Sequence, residues 1–525
     1  MGHQVLFPDG TVGVIVTHRA PVVFVYCDMD QLDETEGTVI VLDSLASLTV
    51  SDGVKISDCF GRALKEGSSP DGKVMKRAIF APIPQVKDIA LINTPMVTGV
   101  TMLDALAPIG KGQNMLMIGH DLKDMRGYVV DLLSAQKGKT KCVYAATADK
   151  DEITTMLVDA GLPDVVLVAQ DGKADKDEAS GAAESTTIAA AACAIGESFA
   201  LEKGENALVI IDNIDQHKKL WDSTTRVLVD VFGIDAVVKG DLDGGASSEM
   251  RAFYSTLIQR SAQYKKNRGG GSVTVLLMTT IPKLAGGDDD TVYSPSDFEN
   301  SSVKVRERID LLAKKNIPLT AATLRKIEIP IPSDIEGKRR LILQHVDDLI
   351  SMSDGQIWFD EKLEAGGRRP PMDPTRSVTR VGIGADTPSR ADAPAMRRVV
   401  EGLRLDLAQA ADKDGADFTL SSSQKQLRKS NALLLAMHQE AQSGARLLSE
   451  SCTVLLAATR GHLDGTVDKG IVAGSAEGDK IISDLLKHVS STAPGAVAEV
   501  DETQDMVEDC MKEIEAAIKS FFSSN

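Results

Sequence analysis

The sequence predicts a multidomain protein with an N-terminal β-barrel, a central α/β domain built on a parallel sheet, and a C-terminal α-helical domain. Three patterns predict this order. Short β-rich runs between turn residues open the chain, continuous apolar runs alternate with helical segments in its middle, and apolar residues at three- and four-residue spacing mark its end. The predicted domains are residues 1–85, 86–385 and 386–525.

The barrel prediction depends on three β-rich runs near the N-terminus, "TVGVIV", "PVVFVYCD" and "GTVIVL". They are separated by the turn signals "PDG", "HRA" and "ETEG". Short strands with regular turn signals are typical of small all-β domains.

Five apolar runs in the middle of the chain predict buried strands: "NMLMIG", "KCVYAAT", "DVVLVAQ", "ALVIID" and "VTVLLMTT". Continuous apolar runs favour parallel strands that are covered on both faces. Residues 171–186, 239–249 and about 283–345 are predicted to be surface excursions. The last of these, the insert, is long enough for a helix ("VKVRERIDLLAKK") and a strand ("RKIEIPI") of its own.

The C-terminal third is predicted to be helical from "MRRVVEGLRLDLAQAA" and "VEDCMKEIEAAIKSFF". In the second of these, an apolar stripe at helical spacing comprises Val507, Met511, Ile514, Ile518 and Phe521.

Composition excludes several classes of protein. The net charge of -18 argues against nucleic acid or an anionic membrane as the main partner, and no apolar run is long enough to span a bilayer. The six cysteines and eight histidines are scattered, so neither a metal site nor a disulfide framework is predicted. The start "MGHQVLFPDG" does not match a signal or transit peptide, which leaves open a removed presequence or synthesis where the protein works.

Four motifs in order resemble the alpha subunit of the F-type ATP synthase. They are "PMVTGVTMLDALAPIGKGQ" (95–113), "ISMSDGQIWFDEKLEAGGRRPPMDPTRSVTRVG" (350–382), "LRLDLAQ" (403–409) and "LLAATRGHLDG" (455–465). The resemblance implies that the α/β domain is P-loop-type (RecA-like). It also implies a non-catalytic subunit of a hetero-oligomer for proton-driven ATP synthesis, in which beta-type subunits are the expected partners and gamma is a further candidate partner. It also implies a location at the mitochondrial matrix face or chloroplast stromal face, peripheral to the membrane.

The stretch "IGHDLKDMRGYVVD" lies where the family places its phosphate-binding loop, GxxxxGK[ST]. If Gly119 is the first glycine, Asp124, Met125 and Arg126 take the Gly, Lys and Ser/Thr positions. The lost lysine would neutralise phosphate charge and the lost hydroxyl would hold magnesium, whereas Asp124 would repel phosphate. The sequence therefore argues against tight Mg-ATP binding, predicts no other cofactor, and predicts that the chain alone does not hydrolyse ATP.

Three further positions align with the family's nucleotide site, two of them with the family's residue and one with a replacement. Asp212 follows "ALVII", where the family has its magnesium-associated aspartate, although an Asp at a strand end is common in any α/β sheet. Asp149 replaces a glutamine of the family, and Arg369 with Pro370 matches an Arg-Pro near the adenine pocket.

Arg380 matches the arginine that the alpha subunit projects into the catalytic site of its beta neighbour, and Ser351 matches another residue facing that site. Such an arginine finger in trans stabilises charge on the transferring phosphoryl group. Arg380 could equally persist as a structural ion-pair partner.

Two functions remain open from the sequence. One is a divergent alpha-type subunit with a degenerate nucleotide site. The other is a pseudo-ATPase outside the rotary complex, acting as an assembly factor or scaffold that binds beta-type subunits. The short N-terminus, which lacks the family's stalk-docking extension, and the 283–345 insert favour the second.

Overall fold

The computed structural model describes residues 1–19, 22–27, 38–50, 55–64, 75–147, 149–170, 178–233, 245–281, 293–298, 303–315, 317–327, 329, 333–381, 407 and 421–524.

The N-terminal region is built from two antiparallel sheets. The first has the strand order β3-β2-β1-β4, with β1 His3–Leu6, β2 Val12–Arg19, β3 Val22–Tyr26 and β4 Ile40–Leu45. The second pairs β5 (Ser47–Val50) with β7 (Met75–Ala78). The three predicted β-rich runs all contain strands, whereas closure into a barrel stays a prediction.

A nine-stranded sheet forms the centre of the molecule, and it is parallel except at β17 and at β14, which pairs with β15. Its main order is β17-β16-β10-β15-β13-β11-β12-β6. The strands are β6 Ile56–Ser57, β10 Asn114–Gly119, β11 Lys141–Ala146, β12 Val166–Ala169, β13 Asn206–Ile211, β14 Ala262–Gln263, β15 Ser272–Thr280, β16 Gly355–Trp358 and β17 Val378–Thr379. A separate pair joins β8 (Pro95–Met96) to β9 (Ile109–Gly110). All five strands predicted for this region are confirmed.

Helices cover both faces of this sheet. The side chains of the strands pack with them in two separate apolar clusters. The helices are α1 Thr101–Leu106, α2 Leu122–Ala135, α3 Lys150–Asp159, α4 Glu178–Glu202, α5 Asp215–Phe232 and α6 Gly245–Ile258. The prediction of a surface excursion at 171–186 was wrong from residue 182 onward, where the side chains are buried, whereas Ser248 and Glu249 in the 239–249 stretch are exposed as predicted. Residues 178–186 begin α4, whose small side chains from Ala182 onward are buried against the sheet, and residues 245–249 begin α6.

The insert carries a small apolar core of its own. Helices α7 (Val303–Lys314) and α8 (Ala321–Lys326) contribute to it, and α9 (Ser333–Met352) leads back to the main sheet. The core comprises Tyr293, Phe298, Ile309, Leu319, Leu324 and Ile329. The predicted helix is confirmed, but the predicted strand "RKIEIPI" is wrong over its described residues. Residues 325–326 end α8, and the Ile327 and Ile329 amides donate back to carbonyls of that helix instead of pairing with a strand.

After the short helix α10 (Glu361–Ala365), the described C-terminal residues are helical: α11 Ser421–Met437, α12 Leu448–Thr459, α13 Asp464–Asp468, α14 Ala476–Thr492, α15 Pro494–Thr503 and α16 Glu508–Ser524. Of the predicted stripe on α16, Ile514 and Ile518 are fully buried, whereas Val507 precedes the helix and is exposed. The segments "MRRVVEGLRLDLAQAA" and "LRLDLAQ" lie outside the described residues except for Leu407. No helix in the described part of the chain has the length and apolarity needed to cross a membrane.

Candidate functional site: a closed phosphate loop

The connection between β10 and α2 is too short to form an open phosphate loop. The strand ends at Gly119 and the helix begins at Leu122, so only His120 and Asp121 lie between them. Asp121 caps the helix, and its Oδ1 accepts a hydrogen bond of 2.8 Å from the Lys123 amide. A carboxylate of the chain therefore occupies part of the amide-rich helix N-terminus that would otherwise attract an anion.

Met125, at the position of the family's lysine, belongs to the apolar core. Its side chain is fully buried within the cluster formed by the sheet and the helical domain. A methyl group added to Gly119 would come within 2.9 Å of the Met125 sulfur, so the two residues are closely packed. Because Met125 fills the space behind the loop, it offers neither charge nor a hydrogen-bond donor to a phosphate.

Arg126, at the position of the magnesium-binding hydroxyl, forms a buried ion pair with Asp212. Arg126 Nε donates to Asp212 Oδ1 at 2.9 Å, and Nη2 donates to Oδ2 at 2.6 Å. The side chains are 4% and 0% exposed. This two-point geometry is the strong arrangement for an arginine and a carboxylate. The structure thus unites two residues that the sequence analysis selected separately.

Three further side chains, which the sequence analysis did not select for this role, complete the network. The Tyr144 hydroxyl on β11 donates to Asp212 Oδ1 at 2.7 Å. On the other side of the guanidinium, Asp149 Oδ2 accepts from Nη2 at 3.3 Å, and Glu152 lies 3.6 Å from Nη1. Asp149, which had no interpretation from sequence alone, therefore belongs to this site. Its left-handed backbone (φ 55°) at the start of α3 was not visible in the sequence.

The electrostatics of the network favour its charged form. Burial by itself would lower the pKa of Arg126, but the hydrogen bonds and charge of Asp212 raise that pKa above its ordinary value. Burial, followed by the charge of Asp212, raises the pKa of Tyr144 well above its usual range, so Tyr144 stays protonated as a donor. One carboxylate, one guanidinium and one phenol therefore satisfy each other's charge and hydrogen-bonding requirements.

This arrangement does not fit a magnesium nucleotide. Both oxygens of Asp212 already accept hydrogen bonds, from Arg126 and Tyr144, and the guanidinium supplies the positive charge that a metal would bring. Asp124 sits in the first turn of α2, where the loop would need a glycine. The site therefore supports no chemical step through a bound nucleotide.

At the far edge of the sheet, Arg380 follows β17 and contacts the residues that come directly after α9, the helix that carries Ser351. The Arg380 amide donates to the Asp354 carbonyl at 2.8 Å, and its Nη1 donates to the Ser353 carbonyl at 3.3 Å. Ser351 is exposed in the last turn of α9, where its hydroxyl donates to the Asp348 carbonyl at 2.6 Å. Arg380 is also exposed, and no carboxylate among the described residues lies within ion-pair distance of it.

Comparison with known proteins finds similarity to one family. Residues 99–297 match the model of the ATP synthase alpha/beta family, nucleotide-binding domain. This part of the chain is therefore similar to that domain. ATP synthase subunit alpha from Clostridium botulinum strain Eklund 17B is 28% identical over 387 residues, covering 71% of this chain and 61% of the relative. The same subunit from strain Langeland is 27% identical over 410 residues, covering 76% and 66% respectively. The chain therefore spans less than two thirds of the length of these relatives.

Against this family background, the selected residues fall into two groups. Gly119, Arg126 and Asp212 lie inside the range that the ATP synthase family model matches, whereas Ser351, Arg369 and Arg380 lie beyond its end.

Arg369 is engaged within the chain. Its Nη1 donates to the Glu364 carbonyl at 3.0 Å, and its Nε lies 3.5 Å from a Glu440 carboxylate oxygen. It lines a cavity of about 510 Å³ between the sheet domain and the helical domain. Because Glu364 follows the central sheet and Glu440 belongs to the helical domain, these contacts of Arg369 join the two domains.

Proposed function

We propose that this protein is a divergent, non-catalytic alpha-type subunit of an F-type rotary ATP synthase head, with a closed nucleotide site of its own. The buried Arg126–Asp212 pair is the observation that carries the proposal, because Arg126 engages the aspartate that the resemblance associates with magnesium. An alpha-type subunit contributes structure and interface residues to its neighbours, so closure of its own site is compatible with that role.

Arg380 provides a second observation in support of the proposal. Its guanidinium is exposed, is oriented by the Ser353 carbonyl, and has no carboxylate within ion-pair distance among the described residues. In the proposed head, Arg380 reaches a neighbouring beta-type subunit and stabilises the phosphoryl group being transferred there, and Ser351 faces the same site.

The second candidate is a pseudo-ATPase that has left the rotary complex and acts as an assembly factor or scaffold binding beta-type subunits. The insert favours this candidate, since it contains an apolar core of its own centred on Phe298, Ile309 and Leu324. A folded module of this kind adds surface that nucleotide chemistry does not need. The organellar location predicted from sequence gains no support, because the relatives named above are bacterial.

The deciding experiment is a native-size separation of the tagged protein from its own cells, followed by mass spectrometry of the co-eluting chains. Co-elution with beta and gamma subunits at the size of a complete head supports the alpha-type subunit. Elution with beta alone supports the scaffold, and elution without either refutes both candidates.

Arg380→Ala tests the interface role within such a complex. We expect ATP turnover to fall by about 10³-fold or more, as for loss of other arginine fingers. Arg376→Ala is the matched control, because Arg376 stacks on the Trp358 ring at 3.2 Å and lies outside the proposed interface contact. Unchanged turnover in the Arg380 variant would remove that residue from the mechanism.

Nucleotide binding is tested directly on the isolated chain. We expect no change in melting temperature on addition of Mg-ATP, because both oxygens of Asp212 already accept hydrogen bonds and its charge is paired with Arg126. A reproducible stabilisation that disappears in the Asp212→Asn variant would show that the loop still binds nucleotide.

A further inference from the structure

Helix α7 of the insert carries an unusual excess of positive charge. Residues 303–315 contain five basic side chains and two acidic ones, in a chain whose net charge is -18. None of the five makes an ion pair with a described carboxylate. Basic side chains without a described carboxylate partner, on a protein whose net charge is negative, indicate that this helix recognises a negatively charged partner.

The positions on α7 concentrate these charges on one side. At about 100° per residue, Lys304, Arg308 and Lys315 fall within an arc of roughly 40°. Lys315 follows the last helical residue, but its amide still donates to the Leu311 carbonyl at 3.2 Å and so continues the helical path. By the same measure Asp310 projects from a different part of the helix surface, whereas Glu307 lies about 60° from Lys304 and borders this side.

An exposed apolar side chain lies beside the three cations. Leu311 is 55% exposed and projects next to Lys304 and Lys315 on the helical wheel. On the opposite side, Ile309 is buried in the insert's core, which fixes the orientation of the helix. Arg308 Nη2 donates to the Ile327 carbonyl at 2.8 Å, so one of the cations is held in place by that core.

We propose that this side of α7, formed by Lys304, Arg308, Leu311 and Lys315, is a docking surface for an acidic protein segment that also carries an apolar side chain. Carboxylates of the partner pair with the three cations, and its apolar group covers Leu311. The leucine distinguishes this surface from a purely electrostatic one, because phosphate backbones offer charge and no aliphatic contact at that spacing. The inference is independent of whether the chain functions inside a rotary head.

The test uses the full-length protein and a fluorescein-labelled peptide of Glu-Glu-Leu-Glu repeats, followed by fluorescence anisotropy at low and physiological salt. Wild-type protein should bind the peptide, with affinity decreasing as salt rises. The Lys304→Glu/Lys315→Glu variant should bind at least about tenfold more weakly, since two attractive contacts become repulsive. Leu311→Ser should weaken binding about threefold to fivefold with little change in salt dependence.

The matched control is Lys480→Glu/Lys487→Glu, which makes the same change in net charge on the exposed surface of α14. Its affinity should stay within about twofold of wild type, while the α7 variant loses binding. All substituted side chains are solvent-exposed, and circular dichroism checks that each variant is folded.

Several outcomes would overturn the proposal. They are the absence of peptide binding, equal weakening by the α14 control, and tighter binding of a duplex DNA probe than of the peptide. Self-association of the wild type that the α7 variant abolishes would also overturn it, because the surface would then belong to a second copy of this chain. Sedimentation measured on the same samples detects that last case.

Discussion

Replacing Arg126 with methionine would leave the Asp212 carboxylate buried without its counter-ion. Asp212 has no exposed surface, and after the change only the Tyr144 hydroxyl would remain as its side-chain donor. Breaking a buried pair by removing one partner typically costs about 3–5 kcal/mol, because the remaining charge stays desolvated. That loss is a large fraction of the roughly 5–15 kcal/mol that stabilises a typical domain. We therefore expect Arg126→Met to destabilise the central sheet severely.

The assay is urea unfolding combined with native-state hydrogen exchange of peptides from β11 and β13, which measures the stability of the sheet itself. The control is Lys123→Met, since the Lys123–Glu152 pair is largely exposed and should contribute at most about 1 kcal/mol. In Arg126→Met/Asp212→Asn, neutralising the carboxylate should recover much of the loss. A cost below about 1 kcal/mol for Arg126→Met, or strictly additive costs in the double variant, would refute the assignment of Arg126 as the internal counter-ion.

Two further predictions concern other buried groups. Burial, followed by the charge of His345, lowers the pKa of His217 from 6.5 to about 3, so neutral His217 contributes stability above pH 6.5 that is lost as the pH falls toward 3. His217→Phe should flatten this loss by up to about 1.4 kcal/mol per pH unit, as measured by urea unfolding across that range, and an unchanged slope would contradict it. Arg260→Met should cost about 3–5 kcal/mol because Glu197 is buried against Arg260 at 2.7 Å, and Arg77→Met, at a partly exposed position, should cost less in the same urea titration. Equal losses of unfolding free energy in the two variants would show that the buried Arg260–Glu197 pair contributes no more stability than the partly exposed Arg77–Glu197 pair.

The element pattern was largely predictable because it depends on local sequence. The apolar run that forms β10 is buried along its whole length, and the strand covers the same residues in the structure as in the prediction. The predictions of secondary structure and exposure failed where local composition did not indicate how the segment packs. Residues 178–186 look polar and small, yet the small side chains let α4 lie closely against the sheet. In the insert, Ile327 and Ile329 are β-branched but continue from a helix into a small core.

The sequence by itself determined that Met125 and Arg126 stand where the resemblance predicts the lysine and the hydroxyl of a phosphate-binding loop. It could not show what these two side chains contact. Arg126 and Asp212 are separated by 86 residues and meet only because the parallel strands place their carboxyl ends at one edge of the sheet. The order of strands in a sheet, and the burial that makes one ion pair strong and another weak, are properties of the tertiary structure. The tertiary structure thus decided that Arg126 and Asp212 form a buried ion pair.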